Sequence, residues 1–238
     1  NNYTEELAES IRDKKGLNDP IFVQYFRYVS GSITGDFGES YKYPGKTVIE
    51  LLSPKLIVSA KLFLISVLIS TVFGIPLGFY AAIKQGTPTD PAIVSLTLIL
   101  YAMPVFLTAP LLIIIFALEL GWVPVSGWGG IFDKRAILPS ITVGLPGIAV
   151  IARLMRASTL DVLGQEFITF AKAKGVDRLS INFKHVGRNA ILPVVTVLGL
   201  SFSGMLGGAL IVELIFGIPG VARFALDAIF SRDYPIIM

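Results

Sequence analysis

The chain has 238 residues, 53% hydrophobic and 16% charged, with a formal net charge of +3 and a mean hydropathy of +0.72. Soluble domains carry about a quarter charged residues, so this composition points to membrane residence. The absence of cysteine excludes disulfides, thiol chemistry and cysteine-held metals; the one histidine is His185.

In chain order, residues 1–53 are polar, with one exception. The stretch DPIFVQYFRYVSGSITG sets Ile21, Phe22, Tyr25, Phe26 and Val29 at helical spacing. That pattern predicts an amphipathic helix on the membrane or on the protein, with packing against the outer ends of the spans preferred over partner docking. Next comes Gly45-Lys46-Thr47, the tail of a phosphate-binding loop. Such a loop needs a glycine five positions earlier, after a buried strand. Here that position is Ser40, and Pro44 directly precedes Gly45. An ordinary turn is the reading these residues favour.

Four charge-poor stretches follow: 22 residues between Lys61 and Lys84, 28 between Asp90 and Glu119, 17 from Ala136 to Ala152, and 24 from Asn189 to Val212. A spanning helix needs about 20 apolar residues, so four spans are expected. None alternates as barrel strands do. Pro76, Pro104, Pro110 and Pro146 suit membrane helices, where neighbours repack kinks. The polar opening and the apolar run beginning at 236–238 read as an incomplete chain, with a first and last span outside it.

Basic residues orient the spans. The segment 153–188 holds Arg153, Arg156, Lys172, Lys174, Arg178, Lys184 and Arg188 against Asp161, Glu166 and Asp177. It is therefore cytoplasmic, and residues 1–53 lie outside. So do 119–135 and 213–235, where charges balance. Lys46 would then face away from cytoplasmic ATP, so any ATP hydrolysis belongs to a partner.

Catalytic motifs are lacking, and no carboxylate pair lies within the spans. Lys61 sits near a span end and reads as snorkelling. The cytoplasmic loop is long for a connector. It reads as helix, turn, helix: Thr159 caps a helix through Leu160, Phe167, Phe170 and Ala171, Gly175 ends it, and Asp177 or Ser180 starts the next, which leads to Pro193. Its exposed apolar knobs call for a partner groove. His185 and Arg188 read as bracing the loop, not as ligands. In the last stretch Ser203 with Gly207, and Gly204 with Gly208, are small residues four apart that allow close helix contact.

These residues resemble the signature loop of ABC importer membrane subunits in the dipeptide and oligopeptide permease class. That loop reads Glu-Ala-Ala-x-x-x-Gly, with a Leu-Pro at the following span. Gly175 and Leu192-Pro193 match; Thr169, Phe170 and Ala171 stand at the Glu-Ala-Ala positions, so only the last alanine is kept. AKAKG, KHVGRNAILPV, GIPLGFYAAIKQG, GWVPVSG and VELIFGIPGVARFALDAIFSRDYP resemble the same class, over nearly the whole chain.

The resemblance implies an all-α polytopic transmembrane bundle, here four spans of a six-span subunit in the cell membrane. The expected organisation is an extracytoplasmic segment 1–53 and a permease domain 54–235, the latter containing a coupling loop 153–189 and an outer amphipathic segment 213–235. The implied function is the pore-forming subunit of an ATP-driven importer of peptides or a similar solute. It is not itself an enzyme. Its partners would be a second homologous permease, two cytoplasmic ABC ATPases and an external binding protein. This chain would bind no cofactor or metal; ATP and magnesium would belong to the ATPases. Glu166, Phe170, Ala171, Ala173, Gly175 and Asp177 would form the ATPase-docking surface, and Thr196, Ser201 and Ser203 would line the pore. A stand-alone secondary carrier is the alternative, and a non-transporting scaffold a third reading.

Overall fold

The fold is that of a computed structural model, which describes residues 9, 10, 12, 13, 16, 18–202 and 209–238. Among these residues there is no strand, only an isolated Glu39–Thr47 bridge. The chain divides into two compact units, Asn1–Pro54 with Ala225–Met238, and Lys55–Phe224.

In the first unit, α1 (Ile21–Ile33) is the expected amphipathic helix. Its Ile21, Phe22 and Phe26 are exposed, and it buries no residue. The Gly45-Lys46-Thr47 segment is a turn. Gly45 takes φ +76°, and the Lys46 N–H bonds Tyr43 O at 3.1 Å. The Thr47 N–H donates to Glu50 Oε2 at 3.1 Å while the Glu50 N–H donates to Thr47 Oγ1 at 3.4 Å. This reciprocal capping box starts the next helix and commits the Lys46 and Thr47 N–H groups, which a phosphate loop would aim at an anion.

Asp233 closes the unit. Its buried carboxylate accepts from the Ser40 hydroxyl and from the N–H groups of Tyr41 and Lys42 at 3.0 and 3.2 Å. Burial raises its pKa, but those hydrogen bonds and the Lys42 charge outweigh it, so the net shift is downward.

The second unit is built around α2 (Val48–Ile83), 36 residues long, and α5 (Ile137–Leu163), 27 residues long. They meet through small residues. A Cβ on Gly78 would fall 2.1 Å from Ala152 O, and one on Gly74 2.8 Å from the Ile151 side chain. The Ser70 hydroxyl lies 2.8 Å from both Ser66 O and Gly144 O. Where lipid tails are as apolar as leucine, such close approach carries helix association.

Two described helices are long and apolar enough to cross a membrane, Val48–Ile83 and Lys134–Leu163. The crossing expected between Asp90 and Glu119, with Pro104 and Pro110 as kinks, is a broken pair. It comprises α3 (Thr89–Ala102) and α4 (Val105–Leu112), the latter continuing as a π-helical turn through Glu119, with a 100° bend between them. Pro104 excludes Met103 from helical geometry and holds it extended, at φ −71° and ψ 119°. The fourth expected span, Asn189–Val212, includes residues 203–208, which lie outside the described residues.

Two substitutions test this unit-level packing. Gly78→Val is expected to cost about 1–3 kcal/mol by overpacking, read as a lower melting midpoint of the detergent-solubilised protein. Gly199→Val, where an added Cβ meets nothing within 4 Å, leaves the midpoint unchanged. For Asp233 the folded pKa is lowered, so its contribution is complete above the unfolded value of about 3.9 and fades as pH falls through the lower folded one. Hydrogen exchange at Tyr41 and Lys42 should lose protection over that acid range; Asp233→Asn should remove the pH dependence.

Candidate functional site

The loop 153–189, expected on the cytoplasmic side, differs from its expected form at one end and matches it at the other. Nothing between Ala152 and Leu163 is a glycine or proline, so α5 runs on past the expected span end and stops at Gly164. Thr159 is therefore not a cap. It lies inside α5, 0% exposed, and its hydroxyl has no partner. The short helix between Gly164 and Gly175, expected as the ATPase-docking lever, is α6 (Glu166–Ala173).

Its C-terminus is a Schellman closure. The Gly175 N–H bonds Lys172 O at 3.0 Å and the Val176 N–H bonds Ala171 O at 3.2 Å, with Gly175 at φ +74°. Asp177 then caps the next helix, its carboxylate accepting from the Ser180 N–H at 3.0 Å. The chain continues through α7 (Arg178–Ser180), a π-helical turn (Ile181–Gly187), α8 (Arg188–Ala190) and α9 (Leu192–Ser201).

Ile168 holds the lever. It is fully buried with Ile181 and Val186, against Phe79, Val162, Leu163, Ala171 and Val176. Sequence reading passed over it, although its helical spacing to Ala171 was visible. Around that anchor Glu166, Phe170, Ala173, Gly175 and Asp177 are exposed together, and Ala171 turns half-buried toward the cluster. Phe170 is 67% exposed, with Lys174 Nζ 5.5 Å from its ring centroid. The helix thus presents an exposed aromatic side chain beside a buried anchor.

Two of the three pore-lining candidates, Thr196 and Ser201, lie on α9 among the described residues. Thr196 is exposed, its hydroxyl donating to Leu192 O at 3.2 Å. Ser201 donates to Val197 O at 2.8 Å and lines a cavity of about 210 Å³ with Ser66 and Ser70. Ser203 lies outside the described residues.

One carboxylate was missed. Glu213, counted among balanced outer charges, sits on α10 (Leu210–Ile215) and is 0% exposed. Ser59 Oγ donates to its Oε1 at 2.6 Å, and the Arg223 N–H donates to Oε2 at 2.8 Å. The Val221 N–H in turn donates to Ser59 Oγ at 2.8 Å. The Glu213 carboxylate and the Ser59 hydroxyl thereby satisfy N–H groups at the start of α11 (Val221–Ser231), the expected outer amphipathic helix, and tie it to α2. A Cβ on Gly220 would lie 2.2 Å from the carboxyl group, so glycine is what lets the loop close over it.

These helices, two of them long and apolar enough to cross a membrane and a further pair bent by 100°, define a polytopic all-helical membrane protein. Residues 74–238 match the family model described as "Binding-protein-dependent transport system inner membrane component", and the chain belongs to that family. It is 38% identical over 236 residues to "Oligopeptide transport system permease protein OppB" of Haemophilus influenzae, covering 99% of this chain and 77% of that protein. To the OppB of Salmonella typhimurium it is also 38% identical, covering 98% and 76%. To "Oligopeptide transport system permease protein AppB" of Bacillus subtilis it is 37% identical, covering 97% and 75%. A solved "amino acid ABC transporter with histidines" shares the fold, with a TM-score of 0.58 at 20% identity over 79% of this chain and 83% of that one. The protein is thus a multi-pass inner-membrane transport subunit, and the stand-alone carrier reading is set aside.

The lever's two sides are expected to behave differently. Ile168→Ala should cost about 2–5 kcal/mol and raise hydrogen exchange across residues 166–173. Phe170→Ala, on the exposed side, should change stability by less than about 0.5 kcal/mol.

Proposed function

We propose that this chain forms half of the pore of an ATP-driven importer of peptides. The observation that carries the reading is the lever: a short helix mounted on buried Ile168, closed by Gly175, and presenting Phe170 to a partner. The identity to oligopeptide permeases along nearly its whole length supports the solute class.

In this reading the second half of the pore is a homologous permease. Two cytoplasmic ABC ATPases bind ATP and magnesium, and this chain hydrolyses nothing. Residues 1–53 and the Val221–Ser231 helix face the outside, where a loaded binding protein docks. Glu166, Phe170, Ala173, Gly175 and Asp177 meet the ATPase groove, with Ala171 bracing them from behind. ATP binding draws the ATPases together. Each lever, rigid because Ile168 is fully buried, moves with its ATPase and tilts the helix that bears it. The pore then opens outward to take peptide from the binding protein. Thr196 and Ser201 offer hydroxyls to the solute path in this scheme, as Ser203 would.

The test is recovery of the protein from its own membranes. The wild type should bring down an ABC ATPase, and Phe170→Asp should lose at least about nine-tenths of it while remaining folded. A folded wild type that brings down no ATPase would defeat the importer reading.

A further inference from the structure

We propose that Arg156 and Arg153 form a two-point yoke through which the lever moves the bent pair of helices, with Arg156 as the principal positioning residue. The proposal rests on the importer reading.

Arg156 grips one end of the Thr89–Ala102 helix. Its Nε and Nη2 donate to Asp90 Oδ1 and Oδ2, each at 2.6 Å. Arg153 grips the other end, its guanidinium 4.7 Å from the centroid of the Tyr101 ring. Asp90 is the second residue of that helix and Tyr101 the last but one, whereas the two arginines stand one turn apart on the Ile137–Leu163 helix. A 14-residue helix is thus held at both ends by one turn of its neighbour.

That neighbour is the lever's own stem. From Arg156 it runs unbroken to Leu163, about 10 Å, and the lever begins at Glu166. At its far end the gripped helix passes through the 100° bend into Val105–Glu119, whose Ala109 is buried in the cluster with Leu62, Leu138, Val212 and Phe216. A continuous mechanical path therefore runs from lever to stem, from stem through the yoke to the bent pair, and on to the core of the crossings.

The chemistry suits transmission. A two-pronged guanidinium–carboxylate pair fixes direction as well as distance. The Asp90 side chain is only 9% exposed, so salt screens the pair little. The placement of basic residues gives both arginines a different role, as two of the positive charges expected to orient the protein, and lever docking uses neither.

The test uses the whole complex, with its partner permease, ATPases and binding protein, in proteoliposomes. ATP hydrolysis and uptake of tritiated trialanine are measured side by side. Arg156→Gln and Asp90→Asn should each lower uptake about tenfold while hydrolysis stays within about twofold, so ATP spent per peptide rises. Tyr101→Leu, at a half-exposed ring where folding is not at stake, should lower uptake about threefold. The exchange Asp90→Arg with Arg156→Asp should restore uptake to within about threefold of wild type. The yoke is overturned if uptake and hydrolysis fall together with the amount of assembled complex, if Tyr101→Leu keeps the wild-type ratio, or if the exchange assembles but transports no better than the single variants. A wild-type complex without ATP-driven uptake would sink the importer reading itself, a result distinct from any of these.

Discussion

The close approach of the Val48–Ile83 and Ile137–Leu163 helices is the constraint on which the rest of the larger unit depends. In lipid no hydrophobic force draws helices together, so contact area and hydrogen bonds must serve. Gly74 and Gly78 let the backbone of one helix lie against Ile151 and Ala152 of the other, and Ser70 seals the contact at Gly144. The position of Phe79 follows from that approach. Its ring borders both the Ile151–Met155 cluster and the Ile168 cluster that mounts the lever. A shift of one helix past the other would therefore move the lever's seat as well as the crossings.

Carboxylates do the second kind of work. Asp90, Glu213 and Asp233 are all buried, and burying a charge is costly unless its hydrogen bonds are complete. Each is completed differently. Asp90 is met by a guanidinium, Glu213 by a serine hydroxyl and a helix-start N–H, and Asp233 by a hydroxyl and two loop N–H groups. In each case the carboxylate holds something the backbone alone would leave loose: the start of the Thr89–Ala102 helix, the start of the Val221–Ser231 helix, or the turn before the Val48–Ile83 helix. The two in the larger unit join helices far apart in sequence, Asp90 to Arg156 and Glu213 to Ser59.

Much of this molecule was legible in its residues, because the signals involved are local. Apolar length marked the Val48–Ile83 and Lys134–Leu163 crossings, even with Pro139 and Pro146 in the latter. Apolar residues at helical spacing marked Ile21–Ile33, and the resemblance marked the amphipathic Val221–Ser231. Gly175 announced the end of the lever, since a left-handed residue is chosen by backbone chemistry at that position alone, and of the two candidate starts of the next helix, Asp177 and Ser180, the structure selects Asp177 as the cap. Pro104 was visible as a kink but not as a 100° turn, because a proline sets its own φ and its predecessor's conformation, whereas packing on both sides sets the angle.

What the sequence by itself determined is thus the apolar crossings, the C-terminal end of the lever and the membrane setting, all carried by composition and near-neighbour geometry; the start of the lever at Glu166 was not among them. Tertiary structure alone decided which charges are solvent-facing and which are buried. Arg156 meets Asp90 across 66 residues and Ser59 meets Glu213 across 154, separations at which no spacing rule operates. It also decided which side of the lever is inward: with Phe167, Ile168, Phe170 and Ala171 all apolar, only the cluster at Ile181 and Val186 selects Ile168 as the anchor and leaves Phe170 exposed.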